Sequence, residues 1–182
     1  MRTSFMLGAC LCLAACGGSK GGEAANKNSG GTASNGDAPA AAPPASMSPA
    51  SGNDVKRLMH ERHEGMESTG KALKSIHDEL QKATPDLSVV RAGSQKIANF
   101  SQQASGWFHA GTGPEAGNTG AKPEIWQNPQ DFQAKLKAYQ AAAGKFDASA
   151  KGNDVAQIKA ALGPLGDACK ACHDKYRSKM HH

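Results

Sequence analysis

No stretch of this chain is both long enough and apolar enough to serve as a permanent membrane helix, which excludes a protein held in a bilayer by its own helices. Strand-type alternation is missing, and no segment repeats, so sheet architectures and solenoids are not expected. No basic patch carries interleaved aromatic residues, and aromatics make up only 5% of the sequence, so nucleic acid is not an expected partner. Large apolar side chains are nearly absent from residue 17 to about 53, where Gly, Ala, Ser, Asn and Pro dominate. Such a segment cannot bury enough surface to offset its ordering entropy and is expected to be a flexible tether.

Cysteine is scarce as well, and each of the five has an expected place. Met1 to Ala15 reads as an export signal, with Arg2 as a minimal basic region and Phe5 to Ala15 as a short apolar core. Leu13-Ala14-Ala15-Cys16 looks like a bacterial lipobox, which implies cleavage before Cys16 and lipidation of Cys16. Two or more acyl chains are what stable anchoring requires. An ordinary secretory signal is the plainer alternative. Cys10 and Cys12 leave with the signal, so no thiol remains for a disulfide, and an exported protein must then be held by packing or a cofactor.

The two remaining cysteines carry the chemistry. Cys169-Lys170-Ala171-Cys172-His173 is a CxxCH run, the attachment signature of c-type haem. Two thiols three residues apart lie on one edge of a helix and can add to both vinyl groups of one porphyrin. His173 is then placed beneath the iron as the proximal axial ligand. A redox dithiol needs only the two cysteines; a zinc site would need further ligands, for which His181 and His182 at the terminus are poor material. One covalent haem c is the expected cofactor.

The folded domain is expected over residues 54–182, all-α, as an antiparallel up-down-up-down four-helix bundle. A first helix should start at Asn53 or Asp54 and stop before Pro85, with two seven-residue ladders: Met59, Met66, Leu73, Leu80 and Val55, Arg62, Thr69, Ile76. A second runs from Asp86 and fades at Gly111, with Leu87, Val90, Ile97, Ala104 and Phe108 inward. After a glycine-rich connection, Asn128 should cap a third helix with Pro129 in its first turn and Phe132, Leu136, Tyr139, Ala143 and Phe146 inward. A fourth, capped by Asn153 or Asp154, buries Val155, Ile158, Leu162 and Leu165 and carries the haem motif. Pro164 should kink or break it. The whole chain carries a net charge of +5; without Arg2 the remainder is +4, a mild basicity that suits acidic redox partners.

Three segments give the chain a resemblance to the class II cytochromes c, the cytochrome c' family: Cys172-His173-Asp174-Lys175-Tyr176-Arg177, Lys122-Pro123-Glu124-Ile125-Trp126, and Arg62-His63-Glu64-Gly65-Met66 followed by Gly70 and Lys71. The resemblance spans residues 54–182; the lipid signal and tether lie outside it. It implies that Arg62 lies over the haem edge and pairs with a propionate. Met66 would occupy the distal position, and Arg177 the basic position near the proximal imidazole. A buried arginine in an apolar seam also calls for an anionic partner on physical grounds.

Met66 separates two expected functions. As a thioether ligand opposite His173 it makes a six-coordinate electron carrier, the reading adopted from the sequence. As a packing residue it leaves a five-coordinate iron behind an apolar wall, suited to NO or CO. His63 on the flank could offer a bis-histidine or peroxidase-like alternative, though its position reads as exposed. No enzyme activity is expected. The protein is expected in the periplasm, lipid-anchored, in the outer rather than the inner membrane because Gly17 follows Cys16, as a monomer or homodimer.

Overall fold

The computed structural model describes residues 52–179. The signal, Cys16, nearly all of the tether, His181 and His182 lie outside the described residues. Five helices order the chain: α1 Gly52–Leu80, α2 Leu87–Gln103, the short α3 Glu124–Gln127, α4 Pro129–Ala150 and α5 Val155–Tyr176. The four long ones form the expected bundle. Connections of a few residues at 81–86 and 151–154 turn α1 back on α2 and α4 back on α5.

The helix ends follow local chemistry. Asp86 caps α2 by accepting from the backbone N–H of Ser88, and Asp154 caps α5 by accepting from Ala156 and Gln157. Glu79, near the end of α1, accepts from the backbone N–H of Asp86 at 2.7 Å and closes the first turn. Asp154 as a cap and Pro129 in the first turn of α4 are where the sequence puts them, whereas Asn128 caps α4 by position only. Its side chain turns back to donate to the carbonyl of Glu124 instead.

Two expectations are corrected. The second helix stops at Gln103 rather than Gly111; a single 3₁₀ turn, Ala104–Gly106, follows, yet Ala104 and Phe108 remain buried. Pro164 neither kinks nor breaks the last helix, which runs from Val155 to Tyr176 as one element. Gly163 and Pro164 are both exposed, so the carbonyl that loses its helical donor faces water instead of the core.

The core runs along the middle of the bundle. Ile76, Val90, Ile97, Phe132, Leu136, Phe146, Ile158 and Leu165 are shut off from solvent. The two ladders of α1 separate by depth along their middle, where Arg62, Thr69 and Ile76 are buried and Met59, Met66 and Leu73 half-buried; at the ends Val55 is half-buried and Leu80 buried. That difference has a cause in the packing. α1 lies on α2, α2 on α4 and α4 on α5, but α1 and α5 barely meet. The bundle is therefore closed on three sides, with a seam along the fourth. Among the described residues no helix is long and apolar enough to cross a membrane.

Candidate haem-binding site

The open side of the bundle is where the motif residues collect. From α1 come half-buried Met66 and Leu73; from α5 come half-buried Leu162, Ala168, Cys169 and Cys172, all packed against the core. Tyr139 of α4 is buried with them, its hydroxyl engaged with the Thr69 hydroxyl of α1 and within electrostatic reach of Cys169. This one contact places the distal candidate helix and the cysteine helix around a common interior. Burial pushes the Tyr139 phenol up to about 12, so it is a neutral donor. Thr69 in turn donates to the Gly65 carbonyl at 2.8 Å.

Cys169 and Cys172 are free thiols in a continuous helix. Burial raises both, Cys172 to about 11 with a further push from Cys169. A redox dithiol needs a depressed thiol to supply thiolate at neutral pH, so this pair lacks the electrostatics of one. Thiols held side by side on an apolar wall fit thioether attachment to a flat hydrophobic cofactor. His173 follows, exposed as a residue but with its imidazole partly desolvated. That desolvation pushes it down, and nearby Arg177 acts in the same direction against Asp174. Neutral imidazole, the form that binds iron, is favoured. The structure thus brings Arg177 beside His173.

Arg62 is buried on the inner side of α1. Its guanidinium is buried without a carboxylate partner: Nη1 donates to the Trp107 carbonyl and the Thr112 hydroxyl, both at 3.1 Å. Nη2 donates to the Thr112 carbonyl at 2.8 Å and the Thr119 hydroxyl at 3.0 Å. The cation also stands 5.3 Å over the Phe108 ring. Desolvation pushes it down to about 10, with Glu115 opposing. Four neutral acceptors surround the cation. All lie in the segment between α2 and α4.

The sequence reading also missed Trp107. Its indole lies so close to α1 that a Cβ on Gly65 would overlap the ring, so Gly65, between Arg62 and Met66, is the only residue that fits. The signal was a glycine inside an otherwise strong helix. Trp126 anchors the same segment by donating from Nε1 to the carbonyls of Phe108 and His109. His63 is exposed on the outer face of α1, away from the seam, with Glu64 and Glu67.

The family model of cytochrome C' matches residues 57–177, two-thirds of the chain and all of the bundle but the first residues of α1. The chain belongs to the cytochrome c' family. A cytochrome c' of Rubrivivax gelatinosus is 40% identical over 98 residues, covering 54% of this chain and 75% of that one. Among solved structures, a cytochrome c' with ligand-controlled dimer dissociation is 28% identical, covers 71% of this chain and all of its own, and superposes with a TM-score of 0.65. A nitric oxide complex of a mutant cytochrome c prime from Alcaligenes xylosoxidans is 27% identical, with coverage of 69% and 97% and a TM-score of 0.62. Cytochrome c' proteins are periplasmic, are not classical enzymes and carry one covalently attached haem c, so the chain is a haem protein. The motif, the raised thiols and the apolar seam all suit that cofactor.

Proposed function

We propose that this cytochrome c' holds its haem between α1 and α5 and takes NO or CO at the face guarded by Met66. Cys169 and Cys172 would hold the haem through thioether links, and His173 would supply an imidazole to its iron. Haem, when bound, supplies an iron that can accept a further ligand or exchange an electron. Met66 and Leu73 wall the opposite side with apolar surface, which excludes water and anions and admits small uncharged diatomics. Desolvation first, and nearby Arg177 second, favour the neutral proximal imidazole. The observation that carries this reading is the apolar character of the seam on the α1 side, where Arg62, the one buried cation among the described residues, is already satisfied by neutral acceptors. The nitric oxide complex of the Alcaligenes protein supports the same choice over the electron carrier expected from sequence.

A second reading rests on the half-buried position of Met66. Its thioether could reach the iron and make the six-coordinate site of a carrier serving acidic redox partners. Arg62, with four Nη hydrogens used, has only Nε and its charge for a propionate. Lipidation of Cys16 would tether the domain to the outer membrane, and a homodimer would parallel the ligand-sensitive dimer named above.

The test is the visible spectrum of the holoprotein, ferric and reduced, with and without CO. A broad high-spin spectrum that shifts with CO is the expected result. Sharp α and β bands unmoved by CO and lost in Met66→Ala would transfer the assignment to the carrier.

A further inference from the structure

If α1 and α5 barely meet, something else must set their separation, and the segment between α2 and α4 is built to do it. At one end this strap is clamped to α1 by Arg62, through Trp107, Thr112 and Thr119. At the other it pairs with the chain just after α5. Ala121 and Arg177 form an antiparallel bridge: Lys122 N–H donates to the Tyr176 carbonyl at 3.0 Å, and Ser178 N–H to the Gly120 carbonyl at 2.8 Å. The two ends share one atom. The Thr119 hydroxyl oxygen accepts from Arg62 at 3.0 Å and from the backbone N–H of Ala121 at 3.2 Å. Arg177 N–H donates to the His173 carbonyl, so the bridge reaches the proximal residue within one helical turn. On the other helix Met66 lies one turn from Arg62.

We propose that Arg62 is a positioning residue which, through Thr119, ties α1 to the residues after His173 and so fixes the spacing of the two walls that hold the haem. Charge alone does not explain its surroundings. A cation placed only to meet a propionate would keep its fork free, whereas this one spends both Nη groups on the strap. The width of the slot is then set by a hydrogen-bonded relay that runs from the Arg62 cation through the Thr119 hydroxyl to the backbone of the strap. The inference takes the place of the haem from the reading above but not the identity of the bound gas.

Backbone hydrogen exchange and the ferric Soret band, both on the holoprotein, test it with Thr119→Val, Thr119→Ser and Arg62→Lys. Thr119→Val and Arg62→Lys should speed exchange at the Lys122 and Ser178 amides about tenfold, from loss of one relay hydrogen bond, and leave Ala143 in the core unchanged. The Soret band should broaden in the same two variants, and Thr119→Ser should restore both signals. Wild-type protection at Lys122 and Ser178 in Thr119→Val overturns the proposal. So does faster exchange with an unaltered Soret band, because the slot is then fixed elsewhere. If Arg62→Lys moves only the pH dependence of the spectrum, Arg62 serves a propionate and the positioning role fails. A holoprotein that ignores CO would defeat the gas-binding reading and leave the exchange result standing.

Discussion

At the scale of single residues, the site depends on a few side chains that no substitute matches. Gly65 is one: an added methyl meets the flat of Trp107, which is pinned by its own packing beside Phe100. Gly65→Ala should lower stability by about 1–3 kcal/mol, the usual cost of overpacking a core, and a melting curve of the holoprotein checks it. Met66→Ala should speed NO or CO association by opening the apolar wall, measured by flash photolysis; an unchanged rate would place the barrier at another residue. Cys172→Ala should leave a single thioether, so that haem staining on a denaturing gel weakens but persists through Cys169, and vanishes in the double variant. The CxxCH residues were legible from sequence because their chemistry depends on spacing alone. The partners of Arg62 were not. They lie 45 to 57 residues away, and nothing in the spacing of α1 says that neutral carbonyls and hydroxyls will surround it.

At the scale of elements, the helices were readable where periodicity and capping agree. The inward row of α4, from Phe132 to Phe146, is buried throughout, and Asp154 caps α5 with two backbone bonds. Asp154→Ala should cost about 1 kcal/mol, seen as a lower denaturation midpoint with an unchanged slope. Proline was misread because its effect depends on which side of the helix it lies, and sequence gives the ring without its surroundings. Pro164 faces solvent, so Pro164→Ala should raise the melting temperature without altering the haem spectrum; a fall would show that the proline is needed to shape α5 before the motif. The end of α2 was overrun because the apolar pattern continues through Ala104 and Phe108 after the helical backbone has changed course.

At the scale of the whole molecule, three aromatic rings stack across the end that carries the haem motif. Phe108 of the strap, Phe132 of α4 and Tyr176 of α5 meet edge to face, with centroids 4.7 and 5.3 Å apart. Tyr176 donates to Asp131 at 2.5 Å, and Lys175 pairs with the same carboxylate at 2.9 Å. The Tyr176 bond first, and Lys175 second, hold the Asp131 carboxyl below its ordinary value. A carboxylate depressed in the folded state adds stability above its unfolded pKa and loses it as pH falls through the folded value. Acid unfolding should therefore be shallower in Asp131→Asn below about pH 4, the ordinary carboxylate range, with the difference read from stability curves at pH 7 and pH 3.

The strap has a consequence for the order in which the molecule is assembled. Helix pairs α1–α2 and α4–α5 are near neighbours in sequence and can zip early, but the Ser178 contact with Gly120 spans 58 residues. Contacts of that range form late in folding. Until they form, the end of α5 is unfastened and its two thiols stay open to the machinery that attaches the porphyrin. The last stitch of the fold is then also a seal, closing over a cofactor already in place and making its capture hard to reverse.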